Sequence, residues 1–84
     1  MNLVILTPEK EVFSGDVKSV KVPGTSGQFE ILEGHAPIVS SLTEGKVRIL
    51  DLQGQKKEYT ILRGFIEVLQ NEVSLLVRGL EELN

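Results

Sequence analysis

The sequence predicts an all-β domain, a sandwich or barrel of short strands, on the basis of three observations. β-branched residues are abundant, with ten Val, six Ile and four Thr in 84 residues, whereas alanine occurs once, at Ala36. β-branched residues suit a pleated, half-buried surface, and a chain so poor in alanine is not expected to be helical. Glycine or proline recurs every eight to twelve residues or so, which is the spacing of turns between short strands. A chain of this length has room for one domain.

The turn residues and the alternation of apolar with polar residues define the predicted strands. They are 2–7, a segment from Glu11 to a bend at 14–16, 17–22, 28–32, 38–42, 46–52, 58–62, 65–69 and 73–77. The first strand ends at Thr7-Pro8, because a residue that precedes proline avoids the α conformation. In 17–22, Val20 and Val22 share one face and Lys21 takes the other.

The second half of the chain has the clearer pattern. Val47 and Ile49 lie on one face of their strand, and Gln53-Gly54 makes a tight turn to the next. Arg63-Gly64 is expected to break the chain before 65–69. Gln70-Asn71 joins the last two strands, since asparagine tolerates positive φ. The tail, 80–84, is long enough only to start a helical turn.

Composition excludes several classes of function. The formal net charge of −3 argues against a protein that binds nucleic acid or an anionic membrane, because such proteins carry a basic surface. The chain has no cysteine, and one histidine, His35, does not make a zinc site. No apolar run approaches the length of about 18 residues that spans a membrane, and the N-terminus has no basic region of the kind that opens a signal peptide. We therefore expect a cytoplasmic-type soluble domain without a metal or cofactor.

No set of residues predicts catalysis. His35 could be drawn into a triad with Ser40 or Ser41 and Glu33, but a loop histidine that orders its own turn is the favoured interpretation. Glu30 and Glu33 would point to opposite faces of a strand, so they do not form an opposed carboxylate pair.

Two loops, 23–28 and 33–38, are the remaining candidates for function. The first contains Gly24-Thr25-Ser26-Gly27, which lacks the Lys-Ser or Lys-Thr of a phosphate-binding loop and its following helix. Loops on a rigid sheet are where small domains bind partners. The residues alone thus predict an acidic, non-catalytic interaction module.

One long stretch of the chain resembles a known family. Val22-Pro23-Gly24-Thr25-Ser26-Gly27-Gln28-Phe29-Glu30-Ile31-Leu32-Glu33-Gly34-His35-Ala36-Pro37, followed by 42–49, closely resembles the ε subunit of F-type ATP synthases. Segments 7–10, 12–15 and 64–68 are also similar to that family, so the resemblance covers essentially the whole chain. Glu30 stands where the family usually has Gly, and Glu33 where it usually has Pro.

The resemblance implies a flattened β-sandwich of about ten strands at residues 1–79, with 80–84 as a tail. It implies a non-catalytic rotor subunit, with no cofactor, that binds the γ subunit and the c-ring and couples ring rotation to ATP synthesis. It places the protein, as part of the complex, at the cytoplasmic face of the bacterial inner membrane. Because the chain stops at Asn84, the family's C-terminal helical hairpin, and with it inhibition of ATP hydrolysis, is expected to be missing.

Site residues follow from the resemblance by position. The loop that faces the c-ring matches Gly24, Thr25, Ser26, Gly27 and Gln28. The interface with γ and the ring matches Thr7, His35, Ala36, Val39 and Ser40.

The alternative from another class is a stand-alone β-sandwich module that binds a glycan or peptide. The chain has no tryptophan to form a sugar platform. Its aromatic residues lie in strand patterns, and most are expected in the core; they are Phe13, Phe29, Tyr59 and Phe65.

Overall fold

The structure, a computed structural model, describes residues 1–83, and its regular elements over that range are all β-strands. In chain order they are β1 Asn2–Leu6, β2 Glu11–Gly24, β3 Gly27–Leu32, β4 Ile38–Leu42, β5 Gly45–Asp51, β6 Lys56–Ile61, β7 Arg63–Leu69, β8 Glu72–Arg78 and β9 Glu81–Leu83. The predicted all-β class is confirmed, with nine strands in residues 1–83 where about ten were expected.

The strands form two layers that share β2. One layer has the order β1-β8-β7-β4, and the other has the order β3-β2-β5-β6-β9. The β1–β8 pair is parallel, and the other pairs are antiparallel. β1 also pairs with the first half of β2, and Gly24 at the end of β2 pairs with Leu42 of β4. The first layer therefore closes on itself through β2, and the sandwich approaches a barrel.

β2 is one strand of 14 residues, so the expected bend at 14–16 between two strands is wrong. Ser14, Gly15 and Asp16 stay extended because they pair with Val4, Leu3 and Asn2 of β1. The irregularity falls later, between Val17 and Ser19, where the register against β5 shifts by one residue. At this bulge β2 leaves β1 and continues as the partner of β3 and β5.

The core lies between the two layers and is filled by alternate residues of the strands. The fully or nearly fully buried apolar side chains are Leu3, Ile5, Val17, Val20, Val22, Ile31, Leu42, Val47, Ile49, Tyr59, Ile61, Ile66, Val68, Val73, Leu75 and Val77. The predicted inward faces at Val20 and Val22, and at Val47 and Ile49, are confirmed. Phe13 and Phe29 are half-buried and pack against this core.

The turn at Gln70-Asn71 has the predicted left-handed backbone. φ is 50° at Gln70 and 62° at Asn71, so both central residues of this two-residue hairpin turn have positive φ. The break expected at Arg63-Gly64 lies one residue earlier, at Leu62, because Arg63 and Gly64 already pair with Arg78 and Val77 of β8.

The tail forms a strand, so the expectation of a helical turn there is wrong within residues 81–83. Glu81, Glu82 and Leu83 pair with Thr60, Tyr59 and Glu58 of β6, whose outer edge would otherwise lack partners. Gly79, with φ of 68°, turns the chain back along that edge. Asn84 lies outside the described residues.

Gly64 lies at the closest approach of β7 to β8. A Cβ at this position would lie 2.5 Å from the carbonyl oxygen of Leu76 and 2.9 Å from Cγ1 of Val77. We expect Gly64→Ala to lower the free energy of unfolding by about 2 kcal/mol, because backbone must move to make room. Urea denaturation measures the change.

Gly15→Ala is the matched control for Gly64→Ala. A Cβ at position 15 would lie 3.6 Å from Cζ of Phe13, which is an ordinary contact. Its effect should stay within about 0.5 kcal/mol. Equal losses in the two variants would contradict the role of the close approach at Gly64.

Tyr59 makes stability depend on pH in the alkaline range. Burial, and in addition the charge of Glu82, raise the pKa of Tyr59 above its ordinary value of 10.0. The folded protein therefore keeps this proton at a pH where the unfolded chain has lost it. The free energy of unfolding should fall as the pH rises through 10.0 toward the higher pKa of the folded state, and Tyr59→Phe should make that fall shallower. Equal slopes in the two proteins, measured by urea denaturation, would contradict this assignment.

Candidate docking surface

The two layers have outer faces of opposite character. On the layer that contains β5, one row of neighbouring residues runs Glu30, Lys21, Arg48 and Glu58 across four strands. Arg48 Nε lies 2.7 Å from Glu58 Oε2, and Glu30 pairs with Lys21 across β2 and β3. Glu30 and Lys21 thus place opposite charges in register on a solvated face.

The outer face of the other layer is apolar at its centre. Leu6, Leu76, Phe65 and Ser41 form one row across β1, β8, β7 and β4, and the next outward row is Val4, Ser74, Glu67 and Val39. We call the five apolar residues of these rows the apolar face; they are Val4, Leu6, Val39, Phe65 and Leu76. The exposed fraction is 71% for Val39, 56% for Phe65 and 51% for Leu76.

A groove of about 500 Å³ lies at one end of the apolar face. Its lining comes from three places: Leu6-Thr7-Pro8 at the end of β1, the end of β4, and the facing residues of β7 and β8. A contiguous exposed apolar surface on a small domain is typical of a site that binds a partner.

The predicted loop 23–28 is a tight hairpin, because Pro23 and Gly24 pair with Gln28 and Gly27, and only Thr25 and Ser26 lie between β2 and β3. The end of this hairpin, residues 24–28, is called loop 24–28, and it projects at the same end as the groove. The Thr25 N–H donates to the carbonyl of Ser41 over 3.2 Å, and the Thr43 N–H donates to the carbonyl of Pro23 over 2.8 Å. A Cβ on Gly24 would lie 2.7 Å from both the carbonyl oxygen of Gly27 and the Phe29 ring, so this position requires glycine. The loop is therefore held at its base, while the tip at Thr25 and Ser26 is exposed.

The predicted loop 33–38 ends one residue earlier, because Ile38 already pairs with Val68 of β7. The loop 33–37 lies at the opposite end of β4. The His35 ring contacts its own loop, with Nδ1 2.7 Å from the carbonyl oxygen of Ala36, and the His35 N–H donates to the carbonyl of Leu32 over 3.0 Å. The Gly34 N–H donates to Oδ1 of Asn71 over 2.7 Å, which ties this loop to the β7–β8 turn. These contacts agree with a histidine that orders its turn.

The expected interface residues do not share one surface. Thr7 lies beside the groove with loop 24–28, whereas His35 and Ala36 lie at the other end of β4. Val39 is on the outer face between these ends. The Ser40 side chain lies on the inward side of β4, opposite to Val39, because side chains alternate along the strand. Its strand partner Ile66 is also buried.

Sequence reasoning missed part of the apolar face. The sequence predicts that most of the four aromatic residues lie in the core, and the structure shows that Phe65 is exposed. The alternation in β7 carries the signal, because Ile66 and Val68 are buried and Phe65 therefore shares the outward face with Glu67. Leu6 and Leu76 join Phe65 only through strand pairing.

Within residues 1–83 this surface is accompanied neither by a long apolar helix nor by a cluster of potential metal ligands. Residues 1–83 include no helix with the length and hydrophobicity to cross a bilayer. Within the same range, His, Asp and Glu side chains do not gather in threes around a possible metal ion.

Fold and surface together define a class of protein, a small β-sandwich with an exposed apolar sheet face and loops at both ends of that face. The sequence model of the family described as "ATP synthase, Delta/Epsilon chain, beta-sandwich domain" matches residues 1–83. The chain belongs to this family.

Curated relatives support the same assignment. An "ATP synthase epsilon chain" of Protochlamydia amoebophila is 43% identical over 81 residues, which are 96% of this chain and 55% of the relative. A protein of the same name from Chlorobaculum tepidum is 43% identical over 74 residues, which are 88% of this chain and 84% of the relative. The chain thus spans about half the length of the first relative and most of the second.

Solved structures share the fold. A chain in the Euglena gracilis mitochondrial ATP synthase, in a structure of its OSCP, F1 and c-ring, superposes with a TM-score of 0.89 at 21% identity. The match covers 95% of this chain and 51% of that chain. A chain in the central stalk/c-ring structure of the Tetrahymena thermophila mitochondrial ATP synthase superposes with a TM-score of 0.81 at 15% identity. This match covers 95% of this chain and 64% of that chain.

Asn71 should control the order of loop 33–37. Asn71→Gly keeps a backbone that accepts positive φ but removes the acceptor of the Gly34 N–H. We expect the Gly34 amide to exchange with solvent faster and the domain to lose about 1 kcal/mol of stability. Amide hydrogen exchange by NMR measures the first effect.

Asn71→Asp is the control for that change, because it keeps both an acceptor oxygen and tolerance of the left-handed backbone. Slow exchange at Gly34 should persist in this variant. If Gly34 exchanges at one rate in all three proteins, the hydrogen bond to Asn71 does not order the loop.

Proposed function

We propose that this domain is a central-stalk component of a proton-translocating F-type ATP synthase, where it binds the γ subunit and the c-ring and helps couple ring rotation to γ. The observation that carries the proposal is the family match over residues 1–83. The Chlorobaculum tepidum relative, most of whose length is covered, is an ATP synthase epsilon chain. The fold neighbour from Tetrahymena thermophila comes from a structure of the central stalk and c-ring.

The apolar face supplies a physical reason for γ binding. Val39 and Phe65 present apolar area to solvent that a partner would remove from water, at roughly 25 cal/mol per Å². Thr7 lies at the edge of the adjacent groove. In this proposal γ covers the apolar face, and His35 and Ala36 meet a partner at the far end of β4.

The loop 24–28 suits a second contact, to the c-ring. Its small residues let a neighbouring backbone approach closely, and its exposed tip is polar, as a contact to polar ring loops requires. Hydrogen bonds to Ser41 and Thr43 hold the loop to the sheet. A stiff sandwich with contacts at an end loop and on one face can transmit rotation without chemistry of its own.

The proposed location follows from these partners. The domain would be peripheral to the membrane, at the cytoplasmic face of the bacterial inner membrane, as part of the complex. The proposal for residues 1–83 concerns assembly and coupling and assigns them no part in the inhibition of ATP hydrolysis.

Val39→Asp tests the γ interface. Calorimetric titration against the γ subunit of the same source should give saturable 1:1 binding to the unchanged protein. Val39→Asp should weaken that binding by more than about 1 kcal/mol, because the new charge would be desolvated in an apolar contact. The exposure of Val39 means that folding itself should be unaffected.

Leu52→Asp is the matched control, since Leu52 is also an exposed apolar residue but lies in the β5–β6 turn, off the apolar face. Its affinity for γ should match that of the unchanged protein. Equal affinities for Val39→Asp and the unchanged protein would remove Val39 from the interface. Failure of the unchanged protein to bind γ or a γ–c-ring assembly would contradict the proposed function and leave a stand-alone interaction module.

A further inference from the structure

Two arginines stand side by side at one end of the apolar face. Arg63 of β7 and Arg78 of β8 are directly opposite each other in the β7–β8 register, and both side chains are exposed. They lie on the outward side of their strands, two residues from Phe65 and Leu76, and both line the groove of about 500 Å³.

Neither arginine has an anionic partner within residues 1–83. The ion pairs in this range join Arg48 to Glu58 and Lys57 to Glu82, both on the other layer. Like charges directly opposite each other on adjacent strands destabilise a sheet. In the isolated domain the two arginines therefore reduce stability, and an anion placed between them would turn the repulsion into attraction.

The charge on this face changes sign along the strands. The outward-facing residues of β7 are Arg63, Phe65, Glu67 and Leu69, and successive outward positions are about 7 Å apart. On β8 the order runs from Arg78 through Leu76 to Glu72 at the far end. The charges of the face are thus basic at the groove and acidic toward the β7–β8 turn, where the exposed Leu69 lies beside Glu72.

We propose that the apolar face binds an amphipathic segment of the γ subunit that lies along β7 and β8, with a carboxylate seated between Arg63 and Arg78. Apolar side chains of the segment cover Leu6, Phe65 and Leu76. A basic residue of the segment faces Glu67 or Glu72, so the charge order sets the direction in which the segment lies. This inference rests on the proposed function and adds the chemistry and orientation of the γ surface.

The test measures γ affinity and domain stability in the same variants. The double variant carries both Arg63→Gln and Arg78→Gln. Its affinity for γ, measured by calorimetry, should be at least about tenfold lower than that of the unchanged protein. The thermal midpoint of the isolated domain should stay level or rise by about 1–5 °C, because the repulsion is relieved. A purely structural role for the arginines would lower affinity and midpoint together and would overturn the proposal.

Arg48→Gln is the matched control, since Arg48 is an exposed strand arginine on the opposite outer face. Its γ affinity should remain within about twofold of the unchanged protein. Raising the salt from about 0.1 M to about 1 M shortens the Debye length from about 10 Å to about 3 Å. This change should lower the γ affinity of the unchanged protein more than that of the double variant.

The carboxylate is then located by charge reversal. Replacement of the γ Asp or Glu that meets the arginines with Lys should restore affinity to a variant carrying both Arg63→Glu and Arg78→Glu.

The remaining outcomes separate this inference from the function on which it rests. If the unchanged protein binds γ, Val39→Asp weakens binding and the double arginine variant binds normally, γ uses the apolar face but the arginine pair is not its anion site. If the unchanged protein fails to bind γ, the proposed function fails, and with it the partner named here.

Discussion

The continuous pairing of β2 is the constraint on which the rest of the structure depends. Its first half completes the layer of β1, β8, β7 and β4, and its second half is the central partner of β3 and β5. The one-residue shift between Val17 and Ser19 lets a single strand turn from one layer to the other without losing its backbone hydrogen bonds. Both inner faces are thereby brought together, and the core between them can exclude water.

The difference between the outer faces follows from this arrangement. Each strand that buries one face must present the other, and the two layers differ in what their outward positions carry. Around β5 those positions form charged pairs that water solvates well. On β7 and β8 they carry Phe65 and Leu76, whose exposure costs free energy in the isolated domain and favours binding of a partner.

Much of the fold could be predicted because its signals are local. Alternation placed Val20, Ile49 and Tyr59 in strands, and asparagine at position 71 marked a turn that does have positive φ. The candidate site was predictable only in part. The loops at 24–28 and 33–37 stand out by their glycine and proline, but sequence order did not show that they lie at opposite ends of β4.

By itself the sequence determined the all-β class, most turn positions, many of the inward residues and the family, because each depends on residue type and on a period of two. Only the tertiary structure decided that β2 is unbroken, that 81–83 adds a strand to β6, and that Leu6, Leu76 and Phe65 form one row. The same holds for the apposition of Arg63 and Arg78. Such neighbours are set by the register between strands distant in sequence, and a shift of one residue would send every one of these side chains to the other face.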